Sequence, residues 1–87
     1  MPMYKPQLDD AGRRVLQTIQ RLGVANGWQV MKEASVSADD LVKAAQALVA
    51  SNLVKASGNL SNSDEIGKAY FNIQPSNIGL VNDVLSA

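Results

Sequence analysis

The stretch from Val36 to Leu53 carries a helix start and a helix stop in one piece, and in a chain of 87 residues it sets the centre of the fold. Ser37 occupies an N-cap position, and Asp40, three residues on, stands in for the Glu or Gln of a capping box. Val36 and Leu41 fall at the two positions of a hydrophobic staple. The segment runs through Ala-rich sequence from Ala38 to Ser51, after which Asn52 suits the left-handed C′ position. Leu48 and Leu53 then sit where a Schellman end makes its apolar contact. These signals agree, so a helix over 38–51 is expected.

The rest of the chain must pack against that helix. Leu8, Val15, Ile19 and Leu22 form a stripe of helical period, with Ala11 and Leu16 beside it. Asp9 and Asp10 favour a helix start and Gly23 a stop. Val24-Ala25-Asn26-Gly27 reads as a turn, because Asn-Gly is a turn signal. A short helix over Trp28–Ala34 follows, with Trp28, Met31 and Val30 as its buried edge. Leu53–Ser57 reads as a strand, Gly58–Ser63 as a polar loop, and Ile66–Ile73 contains a second strand, which together predict a β-hairpin. Pro75-Ser76-Asn77 leads into a terminal helix bearing Ile78, Leu80, Val81, Val84 and Leu85. Residues 1–7 read as an extended lead and 8–87 as one domain. A domain this small buries only about 60–65% of the surface its unfolded chain exposes, so its margin of stability is thin.

The composition, 46% hydrophobic and 18% charged, fits a folded chain. With no cysteine and no histidine, disulfides, thiolate chemistry and the commonest general base and metal ligand are all excluded. The adjacent acidic pairs Asp9/Asp10, Asp39/Asp40 and Asp64/Glu65 do not converge on one point, since helix neighbours project about 100° apart. No phosphate-binding glycine loop occurs. The expectation is a non-enzyme with no cofactor and no small-molecule substrate. No apolar run approaches the ~18 residues of a membrane span and no secretory signal is visible, so a cytoplasmic location is expected. Asn59-Leu60-Ser61 matches a glycosylation sequon, which has no role without secretion.

The order helix, short helix, helix, hairpin, closing helix resembles a winged helix-turn-helix domain. Leu41-Val42-Lys43-Ala44-Ala45-Gln46-Ala47-Leu48-Val49-Ala50-Ser51-Asn52-Leu53-Val54 is similar to the end of the recognition helix and the start of the wing in multiple-antibiotic-resistance-type bacterial regulators. Asn52 stands where those proteins have glycine, and Asn tolerates a left-handed backbone. Phe71-Asn72-Ile73-Gln74-Pro75-Ser76-Asn77-Ile78-Gly79-Leu80 is similar to their second wing strand and the start of the last helix. The resemblance implies an α+β winged helix: a three-helix core, a two-stranded β-hairpin wing and a short C-terminal helix. It also implies that the helix over 38–51 lies in a DNA major groove while the wing touches phosphate.

Two functional readings follow. Eight Lys and Arg balance eight Asp and Glu, without the basic excess usual for a nucleic-acid-binding domain. Asp39 and Asp40 occupy the helix turn that would meet bases, and the wing tip is neutral to acidic. Helix 38–51 also has more apolar surface than one buried stripe requires, with Val42 and Val49 seven residues apart and Ala38, Ala47 and Ala50 around them. The terminal helix carries two apolar rows, Ile78/Val81/Leu85 and Leu80/Val84. The leading reading is therefore a non-catalytic module that binds a protein partner or a second copy through Val42, Ala47, Val49, Ala50, Leu80 and Val84. The alternative is the DNA-binding domain of a transcriptional regulator, using Lys43, Gln46, Lys55, Lys68 and the Arg13/Arg14/Arg21 patch, which charge placement ranks second.

Overall fold

The computed structural model describes residues 8–86, so the lead expected over 1–7 lies outside the described residues. The elements run α1 (Asp10–Leu22), β1 (Val24–Asn26), α2 (Gly27–Ala34), α3 (Ala38–Ala50), β2 (Lys55–Ser57), β3 (Tyr70–Asn72) and α4 (Ile78–Ser86). Single 3₁₀ turns over Ile66–Lys68 and Pro75–Asn77 precede β3 and α4.

The local signals around α3 are realised in full at its C-terminus and in part at its N-terminus. The Ser37 hydroxyl accepts the Asp40 N–H at 3.2 Å. At the other end Asn52 has φ 60°. The Leu53 N–H donates to the Leu48 carbonyl at 3.0 Å, and the Asn52 N–H to the Val49 carbonyl at 3.0 Å. These are the two hydrogen bonds of a Schellman motif, and Leu48 and Leu53 are both fully buried beside it. The reciprocal capping box forms at α2 instead: the Asn26 side chain accepts the Gln29 N–H at 2.8 Å, while the Gln29 side chain accepts the Asn26 N–H at 3.1 Å.

Helix α1 begins two residues after Leu8, the first residue of its apolar stripe, at the acidic pair expected to favour a start. Asp9 is the N-cap, its carboxylate accepting the Gly12 N–H at 2.7 Å. Leu8 therefore precedes the helix and packs half-buried against the core. Val15, Leu16 and Ile19 are fully buried, but Leu22 at the last turn is exposed. Gly23 ends the helix at φ 82°, with its N–H on the Ile19 carbonyl at 2.8 Å.

The expected turn over Val24–Gly27 is a strand. β1 pairs antiparallel with β3 in the register Val24↔Asn72, Ala25↔Phe71, Asn26↔Tyr70, and β2 pairs on the other side as Lys55↔Asn72, Ala56↔Phe71, Ser57↔Tyr70. The hairpin thus becomes a three-stranded sheet of order β1-β3-β2. Ala25, Phe71 and Ala56 form its inner row against the helices. Each strand is three residues long, too short to display the alternation by which strands are read. The Asn-Gly pair serves a helix start rather than a turn. Gly27 lets α2 approach the 3₁₀ turn so closely that a β-carbon would fall onto the Ile66 carbonyl. Its N–H donates to the Ala69 carbonyl at 2.8 Å.

The core gathers Leu41, Ala44, Ala45 and Leu48 of α3 with Val15, Leu16 and Ile19 of α1, Val30 of α2, and Ile66, Phe71, Val81 and Val84. Full burial of its Val, Leu, Ile and Phe side chains stabilises by roughly 1.5–3 kcal/mol each. Three expectations change here. Trp28 is exposed rather than core, its indole lying over Gly67, and of its expected edge only Val30 is fully buried. Ile66 reaches the core from a 3₁₀ turn, not a strand. Val84 is 2% exposed, so it belongs to the domain's own core and not to an outward row with Leu80. The buried row of α4 is Val81 with Val84, while Ile78 and Leu80 remain exposed. The Arg13 guanidinium donates to the Leu85 carbonyl at 2.8 Å, placing a cation at the C-terminal, electronegative end of α4.

Candidate nucleic-acid interface

With Leu41, Ala44, Ala45 and Leu48 turned inward, the opposite face of α3 is set by helical geometry. Asp39, Lys43, Gln46 and Ala50, spaced i, i+4, i+7 and i+11, lie along one exposed stripe, with Ala47 beside it. Val42 and Val49 flank that stripe and are half-buried, and Val42 packs onto the core. They are neither fully core nor a free flat face. The surplus apolar surface expected of α3 reduces to Ala47 and Ala50 in the open and two valines at the edge.

Gln46 links α3 to the wing loop, its side-chain amide donating to the Leu60 carbonyl at 3.2 Å. Within that loop, Asn59 accepts the Ser61 N–H at 2.9 Å and Asn62 accepts the Asp64 N–H at 2.8 Å. These asparagine turns shape the tip without adding charge. Lys68 at its base pairs with Glu65 at 3.6 Å. Lys55, on β2, borders a groove shared with Val49, Asn52 and Asn77. Lys43 borders another, facing the start of α1 at Asp9 and Gly12. Among the described residues, neither Lys43 nor Lys55 has an ion-pair partner.

The arginines expected as one patch are engaged inside the domain. Arg14 pairs with Asp10 at 3.4 Å and Arg21 with Glu33 at 3.1 Å, while Arg13 holds the end of α4. Arg14 and Arg21 line a cleft between α1 and α2 with Thr18 and Ser35. The structure therefore keeps Lys43 and Gln46 together on α3, puts Lys55 and Lys68 at opposite ends of the wing, and sets the three arginines on α1.

Among the described residues no cluster of His, Cys, Asp and Glu is placed to hold a metal ion, and no buried side-chain polar atom lacks a hydrogen-bond partner. No helix among them is long and apolar enough to cross a membrane. Sequence reasoning missed one surface, the outer face of the sheet, where Tyr70 and Val24 stand exposed. Nothing short of the strand register could have placed them in adjacent rows of one face.

The chain matches no protein-family model and no curated protein. Among solved structures it is similar to Bordetella bronchiseptica BpsR, whose DNA binding is regulated by 6-hydroxynicotinic acid, with 19% sequence identity and a TM-score of 0.71. The likeness covers 99% of this chain and 61% of that one, so this chain spans about three-fifths of the protein it resembles. At that identity the likeness speaks for the fold, and it agrees with the element order above: this is an α+β winged helix, with α1, α2 and α3 as its helical core and β1 added to the hairpin as a third strand.

Proposed function

We propose that this chain is a duplex-DNA-binding winged-helix domain of the transcriptional-regulator kind, acting by binding and not by catalysis. The observation that carries the reading is the likeness to a DNA-binding regulator over nearly the whole chain, with α3 carrying its long polar side chains on the exposed stripe. Fold alone does not assign function, so the residues must supply the rest. Lys43 and Gln46 face the groove from the body of α3, with Gln46 able to address a base edge by giving up its exposed hydrogen bond to Leu60 and Lys43 able to meet a phosphate. Lys55 and Lys68 flank the wing. The Lys68–Glu65 pair is solvent-exposed and so worth little, and a phosphate can exchange for it.

This reverses the order suggested by charge balance. A net charge of zero weakens non-specific attraction, but the count that matters is the cations at the interface. Three lysines neutralising phosphates predict a slope of about −2.7 for log affinity against log salt. Titration of a duplex between low and moderate salt measures it. Lys43→Ala should flatten the slope by about 1 while weakening all sequences alike. Absence of binding, or a slope near zero, would remove the reading. The protein-contact reading keeps one supporting observation, the exposure of Leu80 on α4. Light scattering that finds a monomer over a wide concentration range would dispose of it.

A further inference from the structure

The outer face of the sheet has a chemistry unlike that of α3. Strand register places Val24, Asn72 and Lys55 in one outward row and Asn26, Tyr70 and Ser57 in the next. Tyr70 stands on the central strand and is 57% exposed. Across the strands it faces Asn26 and Ser57, and the adjacent row holds Val24, Asn72 and Lys55. All eight carboxylates of the chain lie outside the three strands.

A second aromatic stands just beyond the sheet. Trp28 follows Asn26 by two residues and is also 57% exposed. It is held there by packing rather than left loose. Gly67 lies beneath the indole so closely that a β-carbon on it would overlap the ring, and the carbonyl of Ala69, just past the 3₁₀ turn, accepts the Gly27 N–H at the start of α2. Lys68, adjoining Gly67, adds a cation at this end as Lys55 does at the other.

An exposed large aromatic normally costs hydration free energy, and two held near one sheet end, where the carboxylate paired with Lys68, Glu65, is solvent-exposed, suit ligands with flat faces and phosphates. We infer that this face, Tyr70 and Trp28 with Lys55, Lys68, Ser57 and Asn72, binds single-stranded nucleic acid. The aromatic rings stack on unpaired bases, the lysines meet the backbone, and Asn72 and Ser57 reach base edges. Charge complementarity favours this occupant over a protein: among the described residues Lys55 has no ion-pair partner, and the exposed Lys68–Glu65 pair can give way to a phosphate. Exposed apolar area on this face is limited to Val24, Tyr70 and the neighbouring Trp28, less than the wide apolar centre of a protein-binding core. The surface lies apart from α3, although it shares Lys55 and Lys68 with the proposed duplex contacts, and the inference does not rest on duplex binding.

Trp28 is the chain's only tryptophan, so its fluorescence reports directly on the surface. Titrating the chain with a short oligothymidylate should quench that fluorescence, with a salt slope of about −1.4 for two neutralised phosphates on a single strand. Tyr70→Ala should weaken binding about tenfold, within the range measured for lost base stacking, and Tyr70→Phe should restore it to within about twofold. Lys43→Ala, on α3, should leave oligothymidylate affinity unchanged. Circular dichroism confirms that each variant is folded. Loss of duplex binding with oligothymidylate binding intact would strike the proposed function alone. The inference is overturned if the oligonucleotide does not quench, if Tyr70→Ala binds as the native chain does, or if Lys43→Ala weakens it equally. It is also overturned if no oligonucleotide binds while the native chain self-associates and Tyr70→Ala does not, because the face is then a protein contact.

Discussion

Helix α3 and strand β1 lie at opposite ends of a scale. The hydrogen bonds that end α3, from Ser37 at its start and from Asn52 and Leu53 at its finish, all join residues within five positions of each other. β1 has such support only at its last residue, where Asn26 exchanges two hydrogen bonds with Gln29 at the start of α2. Its three residues are held by Phe71 and its neighbours on β3, more than forty positions away. One element is specified by its own residues and the other by where a distant segment docks. The difference teaches that in a domain this small, local capping supplies fixed rods while the sheet is assembled around them, and that substitutions at the two kinds of site should behave differently.

Gly27 tests the tertiary side most severely. As the first residue of α2 it would gain helix propensity on becoming alanine, by up to about 1 kcal/mol. Tertiary geometry dictates the opposite sign, because the added carbon meets backbone at Ile66 and Gly67 and not the end of a flexible side chain. Gly27→Ala is expected to destabilise by about 3 kcal/mol, read from the urea midpoint. A stabilised variant would mean that α2 does not need its close approach to the 3₁₀ turn, and the contrast with α3 would collapse.

Ser37→Ala probes the local side. It removes the one side-chain hydrogen bond at the start of α3 and should lower stability by about 1 kcal/mol. For a domain of this size that shifts the melting temperature by roughly 4–8 °C, well within reach of a thermal melt. A melt unchanged within error would show that α3 is held by packing alone.

The smallest effect is expected at Asn52. Its φ of 60° suits glycine at least as well as asparagine, and both Schellman hydrogen bonds come from the backbone. Its carbonyl also accepts the Asn77 side-chain amide at 2.6 Å, a contact that any residue at 52 can keep. Asn52→Gly should therefore change stability by no more than about 0.5 kcal/mol. A larger loss would mean that the asparagine side chain itself contributes to the turn.

Legibility of the candidate sites divides along the same line. Lys43 and Gln46 were readable as a pair because helical spacing places i and i+3 together once a helix is secure. The arginines show the limit. Arg13, Arg14 and Arg21 are near one another in sequence, but Arg21 meets Glu33 on α2 and Arg13 meets the end of α4, neither of which α1 announces. Likewise Val84 and Leu80 share the apolar character of α4, and only the docking of α4 on α1 decides that Val84 is covered while Leu80 is not.

From sequence alone follow the helices, the Ser37 cap and the Schellman end of α3 and the stop at Gly23, since each depends on hydrogen bonds and side-chain spacings within a few residues. The winged-helix order follows from the resemblance to known regulators. Tertiary structure alone decided the third strand, the exposure of Trp28, the burial of Val84 and the aromatic outer face of the sheet. Those depend on pairing and close approach between segments far apart in the chain, such as Gly27 against Ile66 or Ala25 against Phe71, whose partners the local pattern does not name.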